Sequence, residues 1–213
     1  MRSIYVACLA SYNAGTLHGD WIDLEILDLE EAREEIAQIL RESPHPNVTV
    51  TCPKCSGTGE WITMRHANGF EDKDPAGCQT CKGVGMVPSA AEWAVHDYDG
   101  LPSSFGEHPD LDELAAYVEA VDEHGDAFVA YFGNESHADV ASAVEGFSDA
   151  YSGEFRNAEE WAEGFLDDTG AFQGVSDTLR NYFDFQAYAR DARLGGDMTF
   201  LDNDNGGVYA FSH

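Results

Sequence analysis

Apolar and polar positions follow two different periods along this chain, and the changes of period mark out its elements. Residues 3–10 (Ser-Ile-Tyr-Val-Ala-Cys-Leu-Ala) form an apolar run of strand length, and Ser11-Tyr12-Asn13-Ala14-Gly15 reads as the loop after it. Leu17 to Leu24, around Trp21 and Ile22, predicts a second strand. The period then becomes helical. Asp28-x-x-Glu31 is a capping box ahead of an apolar face of Leu29, Ala32, Ile36, Ile39 and Leu40, and Ser43-Pro44-His45-Pro46 stops the helix. Val48 to Thr51 is extended, and Glu92 to Tyr98 alternates as a strand expected to rejoin the N-terminal sheet.

Beyond the loop at Gly100–Gly106 helical spacing dominates. Asp110-x-x-Glu113 caps a helix with Leu111, Leu114, Ala115, Val118 and Val121 inward; Phe128 to Phe132 is a short apolar run. Ser136 to Tyr151 is helical through Val140, Val144 and Phe147. Asn157 with Glu160 caps a helix burying Trp161, Phe165 and Leu166; Leu179, Tyr182 and Phe183 make a short face; Asp184 starts a last helix that Gly195-Gly196 ends. Met198–Leu201 and Val208–Phe211 flank Asp202-Asn-Asp-Asn-Gly-Gly207 as a closing β-hairpin. The pattern predicts an α+β fold.

Charge changes this picture. The 213 residues carry a formal charge of −29, and the stretch from Ser89 to His213 holds 27 Asp and Glu against 4 Arg, with no lysine. Self-repulsion on that scale costs stability, yet 43% apolar and 12% aromatic residues provide for a core, which excludes a disordered acidic tail. A sequence pI near 4.2 argues against direct binding to nucleic acid or anionic lipid and favours cations or basic protein surfaces as partners. No signal peptide or membrane span is read in the chain.

Residues 50–87 break the composition, with four acidic and four basic residues and all three lysines, Lys54, Lys73 and Lys82. Within them Cys52-Pro-Lys-Cys55-Ser-Gly57-Thr-Gly59 is echoed by Cys78-Gln-Thr-Cys81-Lys-Gly83-Val-Gly85. Two CxxC pairs supply four thiolates from two tight knuckles, the donor set of one tetrahedral structural zinc ion. The glycines let the backbone turn its amides toward sulfur, and Lys54 and Lys82 offset the charge of a four-thiolate centre. Redox cysteines or a pair of disulfides are the alternatives, and the βαβ context that a redox CxxC uses is absent. The repeat resembles half of the zinc-binding region of DnaJ-type chaperones over about 34 residues. The segment reads as an insertion.

Other chemistry is weaker. Cys8 is expected in the core, the eight histidines share no ligand spacing, and no nucleophile elbow, P-loop or dinucleotide fingerprint occurs. Asp202-x-Asp204 lacks the glycine and glutamate positions of a calcium loop. His108-Pro109-Asp110 reads as a turn before a capped helix.

The acidic surface has three readings: a solvated face that keeps the chain soluble, adaptation to high salt, or imitation of DNA. Duplex DNA carries one charge per roughly 1.7 Å, so the net charge corresponds to roughly 50 Å of duplex. The expected central strip is Asp112, Glu113, Glu119, Asp122 and Glu123 with Glu135, Asp139, Glu145 and Asp149, continued by Glu154, Glu159, Glu160, Glu163, Asp167 and Asp168.

Several strings carry a resemblance. They are Ile4 through Asp23, Trp93-Ala-Val-His-Asp-Tyr-Asp-Gly100, Tyr151-Ser-Gly-Glu-Phe155, Leu179-Arg-Asn-Tyr-Phe-Asp-Phe185, Ala187-Tyr-Ala-Arg-Asp191 and Gly195-Gly-Asp-Met-Thr-Phe200. Together they resemble the ArdA-type antirestriction proteins, outside the cysteine segment. The resemblance implies an elongated, non-catalytic acidic protein of three small α/β and helical domains, a homodimer that mimics bent duplex DNA. It implies as partner the basic DNA-binding surface of a type I restriction-modification enzyme, in the cytoplasm of a bacterial host, where incoming foreign DNA is protected. The domains expected are 1–100 with the 50–87 insertion, a central helical 101–150, and a closing α/β 151–213. The other function considered is a zinc-dependent chaperone-like or adaptor protein that grips other proteins with its knuckle.

Overall fold

The apolar run near the N-terminus becomes β1 (Ser3–Cys8), followed by α1 (Leu9–Asn13), β2 (Gly19–Asp23) and α2 (Leu29–Arg41). Then come β3 (Val48–Thr51), β4 (Ile62–Arg65), β5 (Glu71–Lys73), β6 (Met86–Ser89) and β7 (Trp93–Asp99). The computed structural model describes residues 2–134 and 136–213. Glu135, one of the carboxylates expected in the acidic strip, lies outside the described residues. The chain divides into two compact units, Met1–Ala115 and Ala116–His213, and the fold is α+β.

In the first unit β1 is the middle strand of an antiparallel sheet, with β2 on one side and β7 on the other. Ile4, Val6 and Cys8 are fully buried, and so is Ala7, which alternates with them; both faces of β1 are covered there, which is why Ser3–Cys8 reads as a run rather than as an alternation. Ile22 from β2 and Ala94 and Val95 from β7 join them. Helix α2 packs on β1 and β2 through Ala32, Ile36 and Ile39. Each such Ile or Val contributes roughly 1.5–3 kcal/mol on burial. The capping box forms as expected: Asp28 Oδ1 accepts from Glu31 N at 2.9 Å, and Glu31 Oε2 accepts from Asp28 N at 3.2 Å.

One expectation is corrected here. Residues 9–13 are a helical turn, where the sequence suggested the end of a strand and a loop. A partner far along the chain decides it: Ser11 is buried with its Oγ 2.9 Å from Ser43 Oγ, and the Tyr12 ring meets His96 edge-on.

The neutral segment leaves and re-enters the first unit through a paired base. β3 and β6 are antiparallel from Val48 opposite Ser89 to Thr51 opposite Met86, and β4 pairs with β5 as a second two-stranded ribbon. At the base Asn47 N donates to Ser89 O at 3.0 Å, and Asn47 Oδ1 accepts from Ala91 N at 3.0 Å. The strands β4, β5 and β6 had no counterpart in the sequence pattern.

The last helix of the first unit, α3 (Leu111–His124), continues into the second. There α4 (Asp126–Asn134), α5 (Val140–Ala150), β8 (Tyr151–Phe155), α6 (Ala158–Asp168), α7 (Asp177–Arg180), α8 (Phe185–Gly195), β9 (Met198–Asp202) and β10 (Val208–Ser212) follow. The closing hairpin forms as expected, with β10 in the middle of the order β8-β10-β9. Aromatic rings fill one core: Phe128 lies 5.6 Å from Phe147, Tyr131 lies 5.2 Å from Phe211, and Phe147 stacks on Tyr151 at 4.8 Å. A second core joins Trp161 and Ala162 of α6 to Ala189, Met198, Phe200 and Ala210.

The run Phe128–Phe132, which the pattern assigned to no element, lies within a helix, α4. Two expectations change in this unit. The helix expected over Ser136–Tyr151 starts at Val140, because Asp139 in an extended conformation caps it by accepting from Ser142 N at 2.7 Å, and it ends where β8 begins. Leu179, Tyr182 and Phe183 are no core face: α7 has four residues, and these side chains are 65%, 84% and 40% exposed.

Candidate metal centre and acidic surface

The two knuckles face each other with an internal symmetry that the sequence repeat implied. Cys52 N donates to Gly85 O at 2.9 Å, and Cys78 N donates to Gly59 O at 2.8 Å. The amide of Gly59 points at Cys55 Sγ, 3.3 Å away, and that of Gly85 at Cys81 Sγ, 3.1 Å away. These are the sulfur-directed amides expected from the CxxCxGxG spacing. Gly59 and Gly85 have no room for a side chain: a Cβ on Gly59 would sit 2.2 Å from Gly83 O, and one on Gly85 would sit 2.3 Å from Gly57 O. Both also hold positive φ, as do Ser56 and Lys82 directly after the second cysteine of each knuckle.

This backbone brings Cys52, Cys55, Cys78 and Cys81 together, with all four sulfurs within 4.8 Å of one another and none in a disulfide. Sulfur–sulfur separations across the knuckles are 3.9 Å for Cys52–Cys78 and 3.7 Å for Cys55–Cys81. A tetrahedral ion with metal–sulfur bonds of about 2.3 Å needs edges of about 3.8 Å, so the cage has the right size. Backbone amides, that of Cys81 foremost, lower the Cys78 thiol to about 7, whereas burial pushes Cys52 up to about 11. The donor set, four soft sulfurs with amide support, suits a divalent metal of the zinc type. Cys8 stands apart in the first sheet. Burial raises its pKa, but hydrogen bonds with Ser43 and Ser11 outweigh that and leave the thiol below its usual range.

The carboxylates of the expected strip are distributed over both units. Asp112 belongs to the first unit, where it accepts from Arg33 at 2.8 Å, and Glu113 beside it is half-buried. In the second unit, exposed carboxylates at i and i+4 stack along helices: Glu119 and Glu123 on α3, Glu145 and Asp149 on α5, and Glu159, Glu163 and Asp167 on α6. Asp122 and Asp168 are exposed on the same helices. Like charges at that spacing cost roughly 0.2–0.5 kcal/mol per pair, so the ridges are held against local stability.

Some members of the strip have structural work. Asp139 is the cap of α5, and hydrogen bonds from Ser142 keep its carboxyl below the usual range. Glu154 accepts from Asn203 Nδ2 at 2.6 Å across the β8–β10 sheet end. Glu160 accepts from Arg156 N at 2.7 Å, the main cause of its lowered pKa, and its pairing with the Arg156 guanidinium adds to the effect. Arg180 reaches back to both Glu163 and Asp167.

Sequence reasoning omitted Arg180 as the clamp of the α6 ridge, a contact spanning 13 and 17 residues that no local pattern signals. The helical period places Glu30, Glu31, Glu34 and Glu35 of α2 mostly opposite its apolar face, and they are exposed; they form a matching i, i+4 ridge that the expected strip does not include.

Fold and site together define an acidic α+β protein with a four-cysteine metal-binding geometry. The family model for antirestriction protein (ArdA) matches residues 4–205, and the chain belongs to the ArdA antirestriction family. A comparison with curated proteins finds no match.

Proposed function

We propose that this chain is a non-catalytic antirestriction protein that imitates duplex DNA and occupies the DNA-binding site of a type I restriction-modification enzyme. The observation that carries the reading is the set of exposed i, i+4 carboxylate ridges in a family member with a charge of −29. A groove lined with Lys and Arg to hold phosphates accepts fixed carboxylates, and the interaction is sequence-independent and sensitive to salt. The members of the strip named above form the partner-binding surface, and incoming foreign DNA is protected in the bacterial cytoplasm.

Zinc is the ion proposed for Cys52, Cys55, Cys78 and Cys81, with a structural role in the first domain. A homodimer is part of the same reading; the exposed Leu179 and Tyr182 support a face that another chain covers. So is a three-part organisation with borders near residues 100 and 150, supported by the change from helices to strand at Tyr151.

The test is displacement of a labelled duplex from a type I restriction enzyme by the purified protein across a salt series. Competition that weakens steeply with salt is expected. Absence of displacement at low salt, with the protein folded and metal-loaded, would overturn the reading.

A further inference from the structure

The neutral segment has a feature that neither the metal centre nor the acidic ridges use. Strand β4 pairs with β5 and with no other described strand, so one edge is open. Along residues 60–65 it borders a groove of about 520 Å³ whose other side is the first knuckle, at Lys54 to Thr58. Apolar side chains remain in the open there: Trp61 is 42% and Met64 57% exposed. An open edge with exposed apolar residues is a template for another strand; this one carries no proline, and its pairing with β5 shifts register between Ile62 and Met64.

Charge in the groove has the opposite character to the rest of the molecule. Lys54 is exposed and makes no ion pair among the described residues. Arg65 closes β4; it pairs with Glu71 at 3.0 Å, yet its side chain stays 74% exposed. The one carboxylate of the lining, Glu60, is taken by Lys73 at 2.5 Å. Two accessible cations thus flank an apolar strand edge in a chain that is otherwise a polyanion.

We propose that this groove binds an extended acidic polypeptide segment by strand addition to β4, with alternate apolar side chains against Trp61 and Met64 and carboxylates at Lys54 and Arg65. Main-chain hydrogen bonds supply general affinity in such a mode, and alternate side chains supply selectivity. The chain then has two surfaces of opposite preference: ridges for basic partners and a groove for an acidic one. The inference rests on no part of the antirestriction reading.

The probe is a capped eight-residue peptide that alternates valine with aspartate, titrated into the full-length, zinc-loaded protein and followed by backbone amide NMR. Shifts confined to residues 54–65 are expected. A matched peptide with lysine for aspartate is expected to give none, and a variant combining Lys54→Glu with Arg65→Glu at least tenfold weaker binding. Met64→Ser, which leaves both cations in place, is expected to weaken binding severalfold. Unchanged zinc content and unchanged resonances of the second knuckle, residues 78–85, show that the variants are folded. No shift at millimolar peptide, equal binding of the lysine peptide, or shifts outside the groove would overturn the proposal. So would occupancy of the groove by a short DNA duplex, which would make the site one for nucleic acid. Displacement of DNA from a restriction enzyme is read separately, so either reading can fail alone.

Discussion

The segment between β3 and β6 and the core around Trp161 solve the same problem by different means. The core of α6, α8, β9 and β10 assembles Trp161, Met198, Phe200 and three alanines, and needs nothing but apolar burial. The knuckle segment buries its four cysteines and Val87, with Val50 half-buried against them. Its large apolar side chains, Trp61, Met64, Phe70 and Val84, face outward. The segment that carries the lysines is ordered by sulfur donors and backbone geometry, while the region that carries the carboxylates is ordered by aromatic packing.

Removal of the metal should separate the two most sharply. Chelation, or Cys52→Ser, is expected to abolish amide-exchange protection over residues 50–87 while leaving β1 and the second unit protected. Loss of protection in β1 as well would show that the first sheet depends on the ion. Trp161→Ala is the reciprocal change. It should cost about 3–5 kcal/mol in denaturant unfolding of the second unit and leave metal affinity as it was.

Gly59→Ala tests backbone packing alone, since it keeps all four sulfurs. Left-handed strain costs roughly 1–3 kcal/mol, and contact with Gly83 O adds to it, so metal affinity should fall at least about tenfold. Gly69→Ala has similar φ and open space around it, and should leave metal affinity near that of the parent chain. Arg180→Gln frees Glu163 and Asp167. Its stability cost should stay below about 1 kcal/mol, and competition with DNA at low salt should strengthen as the α6 ridge gains negative charge.

The smallest effect is a pH dependence. Asp139 is lowered by its hydrogen bonds with Ser142, so its stabilising contribution is fully present above the ordinary carboxylate range and is lost as pH falls through the lowered folded value. Asp139→Asn keeps the capping oxygen and cannot titrate, so the acid limb of thermal stability should be shallower in the variant. An identical limb would assign acid unfolding to other groups.

The parts of the molecule legible in the sequence are those fixed by near neighbours. The capping box of Asp28 and Glu31, the glycine stop at Gly196, the closing hairpin and the sulfur-directed amides of Gly59 and Gly85 each need only a few residues of context. The family resemblance carried by the strings at both ends agrees with the match over residues 4–205. What stayed hidden has distant partners. Tyr151–Phe155 is a strand because β10 lies beside it, from a point more than 50 residues on, and its own sequence of Tyr, Ser, Gly, Glu and Phe shows no alternation. The turn at Leu9–Asn13 depends on Ser43, and the Arg180 clamp on carboxylates a helix away. Exposed carboxylates carry little positional information in a chain with 40 acidic residues, so the outward charges of α2 do not stand out as a ridge in the sequence.

The paired base at Asn47 and Ser89 has one more consequence. Because the two ends of the neutral segment are hydrogen-bonded side by side, the surrounding sheet meets only a short gap, whatever lies beyond it. Closing a longer loop adds only about 0.6 kcal/mol per doubling of its length. The position is therefore a socket: natural variation or an engineer can exchange the knuckle for another ribbon with adjacent ends and give the same acidic scaffold a different attachment.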